Sequence, residues 1–219
     1  AGRLLAAEGL DGAVRAAPDF LMVAEGNVGF NKASGRIERS YAYAVDLSQP
    51  EPAASLTLTY THTGASGAAC VPEASYAPQY TDMMERCYWA ALQVLVPAQS
   101  ELRSGSRHPI PGAQVASGEP WPGDPVQALP TVSGTETFVQ AFLLPPSEQV
   151  VVLLQYALPA GVEVELPTGE REYRLRWQKQ PGTGLIPVQV TLRLPVNAIL
   201  SSVTPQAMVH EGGVLVFET

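Results

Sequence analysis

Residues 55–63 read Ser55-Leu56-Thr57-Leu58-Thr59-Tyr60-Thr61-His62-Thr63, and their period is two. Leu56, Leu58, Tyr60 and His62 fall on one side, and the small hydroxyl residues between them fall on the other. A β-strand sends alternate residues to opposite faces, so this pattern describes a strand with one face buried and one in water. Threonine-rich outward faces suit sheets because β-branched side chains pack well on a pleated surface.

The same alternation extends outward from this stretch. Segment 36–47 puts Ile37, Tyr41, Tyr43, Val45 and Leu47 opposite Glu38, Ser40 and Asp46. Residues 88–96 offer Leu92, Val94 and Val96. Segments 137–144 and 149–157 read as apolar strands joined across Pro145-Pro146-Ser147, a connection of hairpin length. Tyr173, Leu175 and Trp177 alternate with Arg174, Arg176 and Gln178, and Ile186 to Leu194 is the cleanest alternation in the chain. A short segment, Ala198 to Val203, precedes a last strand over Gly213 to Phe217. Nine to eleven strands without a long helical pattern after residue 18 exclude a βαβ fold. They predict an all-β, antiparallel, immunoglobulin-like β-sandwich, or two packed sandwiches. Residues 104–131 hold six of the twenty prolines and no period. An irregular covering loop is expected there, with a possible sub-boundary inside a domain spanning 19–219.

Composition narrows the class further. Thirteen basic against 21 acidic side chains give 219 residues a net charge of -8, so phosphate-rich surfaces repel the chain and nucleic acid is excluded as a partner. No apolar run reaches the roughly 18–20 residues of a membrane span, and no stretch of the sequence is expected to act as a signal peptide. Ala1 to Gly12 reads as the last turns of a helix. Residues 1–18 are therefore expected to be the end of an upstream helix or linker, the chain being an excised fragment. Cys70 and Cys87 are the only cysteines. They either pair, closing a loop worth about 3 kcal/mol in the chain-entropy model, or lie as two buried thiols. Without a CxxC or a histidine partner they make no metal site, and pairing would imply an oxidising, extracytoplasmic compartment.

Polar candidates concentrate in Asn27 to Arg39, where Asn27, Asn31 and Lys32 alternate with glycines. Such a loop offers donors to an anion or a sugar, although asparagines commonly satisfy their own loop in Asx-turns. Alternation places Arg39 on the inward face with Ile37 and Tyr41, where a charge needs a partner, and Lys179 on the face of Trp177. Trp121 is the aromatic most exposed to a sugar ring by this reading. No catalytic set emerges. His62, His108 and His210 lack ligand spacing, and the pair Asp82 and Glu85 is of a kind that any acidic chain offers. There is no nucleophile elbow, and Gly182-Thr183-Gly184 opens no helix, so no metal, cofactor or phosphate-loop chemistry is expected.

Taken together, the strings NVGFNK (27–32), ERCYW (85–89) and QKQPGT (178–183), with FVQAFLLPPSEQ (138–149), resemble the C-terminal part of the bacterial domain-of-unknown-function family 4012. The resemblance covers residues from about 9 to 195. It implies a membrane anchor through a missing N-terminal segment, an extracytoplasmic, cell-surface location, and a preceding domain similar to the envelope LytR-CpsA-Psr proteins. Asn27, Asn31, Lys32, Glu38, Arg39, Cys70, Cys87, Lys179, Gln180 and Gly182 fall on the family pattern. Gly35-Arg36 departs from it, where aromatic or apolar residues are usual. Two functions follow as expectations. One is a non-catalytic module that supports the upstream domain or binds wall polysaccharide or an envelope protein. The other is an accessory part of an envelope glycan-transfer enzyme, contributing the Asn31/Lys32 loop.

Overall fold

A computed structural model describes residues 13–65, 67, 70–71, 79–129 and 132–218. Strands β1 (Asp19–Asn27), β4 (Tyr88–Pro97), β6 (Val126–Ala128), β7 (Thr135–Leu144) and β11 (Leu175–Lys179) form one sheet in the order β11-β1-β4-β7-β6. The second sheet contains β2 (Ile37–Asp46), β3 (Ala53–His62), β5 (Glu101–Gly105), β8 (Gln149–Ala157), β12 (Val188–Arg193), β13 (Val209–Glu211) and β14 (Val214–Glu218), in the order β13-β14-β12-β2-β3-β8-β5. Strands β9 (Glu163–Glu165) and β10 (Arg171–Tyr173) pair separately. The fold is an all-β sandwich.

One apolar core lies between the two sheets. From β3 it takes Leu56, Leu58 and Tyr60, and from β4 Tyr88, Leu92 and Val94, all at most 1% exposed. Rings bridge the layers. Tyr60 meets Phe142 at 4.8 Å between centroids, and Phe138 meets Tyr156 at 5.1 Å. Each such residue contributes about 1.5–3 kcal/mol by leaving water. The alternation at 55–63 is therefore the imprint of an interior strand of the larger sheet, flanked by β2 and β8, with every even residue inward.

Several features differ from the sequence expectation, each for a physical reason. Two pairings are parallel, β1 with β11 and β12 with β2, so the sandwich is not wholly antiparallel. Strands β7 and β8 do not form a hairpin, because Pro145-Pro146-Ser147 arches from one sheet to the other. There Ser147 takes a positive φ of 64° and donates its N–H to the His62 carbonyl. The 104–131 stretch carries more regular structure than a covering loop. Its flanks supply edge strand β5 to one sheet and β6 to the other, and an Ile110–Trp121 bridge closes the excursion between them. A register shift between Leu102 and Ser104 hides the period there. Arg174 interrupts 173–178, separating β10 from β11. The Ala198 to Val203 segment forms no strand, whereas Val209–Glu211 does, turning into β14 through Gly212-Gly213 with φ of 57° and 77°. A short helix, α1 (Tyr80–Met84), lies in the stretch read as a loop. The helix expected before residue 13 lies outside the described residues, and 13–18 carry no helix.

Candidate functional site

Strand β1 carries acidic residues at both ends of its inward face, Asp19 and Glu25, on either side of Leu21 and Val23. At the Glu25 end, Arg39 of β2 lies opposite. Its Nε donates to Glu25 Oε1 at 2.5 Å, Nη2 forms an ion pair with the same oxygen, and Nη1 donates to the Ile37 carbonyl at 2.6 Å. The side chains are only 14% and 6% exposed, so the charge predicted to point inward at Arg39 does so and is neutralised there. The guanidinium lies 6.0 Å from both the Tyr60 and Tyr88 ring centroids. Burial, then the Glu25 charge, pushes the Tyr41 phenol up to about 12. Tyr88 and Tyr60 are raised for the same leading reason. Glu25 Oε2 is buried and makes no hydrogen bond of normal geometry, although the neighbouring phenols feel its charge.

Above this pair opens a groove of about 630 Å³. Its walls come from the end of β1, the turn and first residues of β2, and the 180–187 loop between β11 and β12. Proline chemistry explains the opening. Tyr41 donates its N–H to the Pro187 carbonyl, and the parallel β2–β12 register begins at Val188 opposite Tyr41. One rung earlier the ladder would need an N–H from residue 187, which proline lacks, so the two strands part there. On the other side β1 and β11 part after Val23 and Lys179, and Gln180 fills the next rung with its side chain. Its Oε1 accepts from Glu25 N at 2.8 Å and its Nε2 donates to Glu25 O at 3.0 Å. Thr183 Oγ1 donates back to the Gln180 carbonyl at 2.8 Å, closing a turn in which Gly182 has a φ of 84°.

The asparagine loop is packed against this end and is self-satisfying. Asn27 Oδ1 accepts from Gly29 N, and Asn27 Nδ2 donates to Asn31 Oδ1 at 2.8 Å. Asn31 Oδ1 also accepts from Ala33 N, while Nδ2 donates to the Cys87 carbonyl at 2.9 Å. Val28 N–H bonds the Trp89 carbonyl and Lys32 N–H the Met83 carbonyl, so the loop is sewn to the segment around α1. Cys70 and Cys87 form a disulfide, the first of the two alternatives read from the sequence.

The structure distributes the predicted residues unequally. Asn27 and Arg39 line the groove, whereas Asn31 is committed to loop architecture and the exposed side chains of Lys32 and Lys179 are outside the lining. Lys179 thus keeps its charge in water despite the face it shares with Trp177. Trp177 packs inward, stacked on Tyr41 at 6.2 Å and 8°. Trp121 is half-buried and its Nε1 is enclosed, so it does not offer an exposed face as expected. His62 is a buried structural residue, with Nδ1 accepting from Gly64 N and Nε2 bonding the Arg86 carbonyl. Glu85 is held low in pKa by the Ala65 N–H and by Arg36, which removes it from an acid–base pair with Asp82. Sequence reasoning missed Glu25 and the clamp made by Gln180. The first was legible, since Glu25 shares a strand face with Leu21 and Val23.

Among the described residues no group of three histidine, cysteine or acidic side chains could hold a metal, and no helix is long and apolar enough to cross a membrane. No protein-family model matches the chain, and no curated protein does. Solved structures with detectable likeness include the M1 zinc metallopeptidase from Deinococcus radiodurans, at 11% identity and a TM-score of 0.30 over 83% of this chain. A two-domain M1 zinc metallopeptidase E323A mutant bound to L-tryptophan scores 0.31 at 10% identity. This chain spans under two fifths of those proteins, 38% and 39% respectively, and likeness at that level carries no statement about fold detail or activity.

Proposed function

We propose that this chain is a non-catalytic, extracytoplasmic β-sandwich module of a membrane-anchored envelope protein related to family 4012, and that the groove above the Glu25–Arg39 pair is its binding site. One observation carries this reading. Three strings far apart in sequence, NVGFNK, ERCYW and QKQPGT, meet around one groove, where Asn27, Tyr88 and Gln180 each contribute to the lining. Stability alone would not require the three to assemble around an opening. The Cys70–Cys87 disulfide supports an oxidising compartment. The anchor, the surface location and the upstream domain rest on the family resemblance.

The test is co-sedimentation of the purified chain with isolated cell envelopes, alongside a Ser34→Trp variant. Ser34 is exposed on the groove wall, so tryptophan there fills the groove without entering the core. Wild type is expected to sediment and the variant to stay in solution. Absence of wild-type binding, or equal binding by both, overturns the proposal.

A further inference from the structure

The groove's free hydrogen-bonding capacity specifies a ligand chemistry, and the inference rests on that groove being the binding site. We propose that it takes an extended peptide presenting a primary ammonium group, as a lysine side chain does, with the peptide's apolar flank against Leu185, Ile186 and Pro187.

Most of the polar groups at this end are already engaged. Gln180 spends both ends of its amide on Glu25, Asn27 spends its amide on Gly29 and Asn31, and Thr183 donates to Gln180. Recognition of a polyol needs side-chain donors and acceptors in alternation, and among the lining side chains the Ser34 hydroxyl is the donor left over. What the other side chains leave is acceptor-rich and anionic. Glu38 is exposed on the wall with no ion pair among the described residues, and the Glu25 carboxylate lies beneath it, its Oε2 enclosed beside the Tyr60 phenol. The one cation in the lining, Arg39, is neutralised by Glu25, so the excess charge is negative, in the same sense as the net charge of -8. An anionic polymer is therefore disfavoured and a cation is drawn in.

The rest of the groove suits a peptide. Leu185 is 100% exposed beside Ile186 and Pro187, an apolar wall with nothing over it. Pro187 also ends the β12 ladder, which leaves the backbone edge of β2 at Arg39 open to an extended segment.

The proposal is tested by titrating isotope-labelled protein and following the amides of Gly182, Thr183 and Leu185. The probes are acetyl-Ala-Leu-Lys-Leu-Ala-amide, the same peptide with norleucine for lysine, a glucosamine trisaccharide, and its N-acetylated form. The lysine peptide is expected to shift these amides, with the norleucine peptide roughly fivefold weaker and Glu38→Gln weakening the lysine peptide about threefold, as exposed charge pairs do. Added salt should narrow both differences. Equal binding of the two peptides, or an unchanged affinity in Glu38→Gln, overturns the ammonium assignment. Shifts with a trisaccharide but not with the lysine peptide overturn the peptide while retaining the groove. Silence from all four probes, with wild type still sedimenting with envelopes, overturns the groove as the site.

Discussion

Asp19 offers the sharpest test of how this sandwich is held together. Its carboxyl is wholly buried between the sheets, with Tyr43 donating at 3.0 Å and Tyr173 at 2.5 Å to Oδ2. Burial raises its pKa from 3.8 to about 6, against the opposing pull of the Tyr173 and Tyr43 hydrogen bonds. Between those two values the folded protein holds a proton that the unfolded chain has released. Stability therefore falls as pH rises through the window, by about 1.4 kcal/mol per unit and about 3 kcal/mol in all, and is level above it. An asparagine in place of Asp19 keeps the volume and an acceptor but cannot ionise. Urea unfolding followed by tryptophan fluorescence, with the disulfide intact, should show Asp19→Asn gaining about 2.4 kcal/mol on wild type between pH 4 and pH 7. Taking the difference between the two proteins cancels every other titrating group. Tyr173→Phe removes a bond that lowers the carboxyl's pKa, so the wild-type falling limb should then extend above pH 6. A difference that stays flat from pH 4 to pH 7 refutes the reasoning.

The remaining predictions concern the groove end. Arg39→Met should cost about 3–5 kcal/mol by leaving Glu25 buried without a cation, and Glu25→Gln added to it should recover part of the loss. Thermal unfolding in which the double variant loses the sum of the two single losses would contradict a coupled pair. Cys70→Ala with Cys87→Ala should lower stability by about 3 kcal/mol, and the wild type should gain no alkyl groups under non-reducing conditions. Two additions in the mass spectrum would count against the bond. Gly29→Ala should cost about 1–3 kcal/mol, because its Cβ would stand 2.6 Å from Trp89 Cε3, and a change below the resolution of the melt would show that Trp89 can yield.

Much of the sandwich was legible because burial on one face of a strand writes a period of two into the sequence. The even positions from Leu56 to His62 are all buried, and Arg39 was readable as an inward charge. The candidate site was legible only in pieces. Asn27 and Arg39 line the groove, but an asparagine's hydrogen-bond partners are invisible in sequence, so Asn31 and Lys32 looked alike although one is locked and the other free in solvent. Trp121 was misread because a period-free, proline-rich stretch carries no sign of the Ile110 bridge that half-buries it.

What the amino-acid order alone determined is therefore the class: an acidic, strand-rich sandwich whose inward faces follow local alternation. The partners were decided in three dimensions. Glu25 meets Arg39 because β1 and β2 lie in opposite sheets, and Gln180 replaces a missing rung because β11 runs parallel to β1. The length of the Pro145–Ser147 connection suggested a hairpin, yet the chain arches between layers there. Alternation records which face a residue buries. It holds no record of which strand lies beside or across from it, since that depends on contacts that strand order does not encode, such as the Gln180 side chain that fills β1's next rung from 155 positions away.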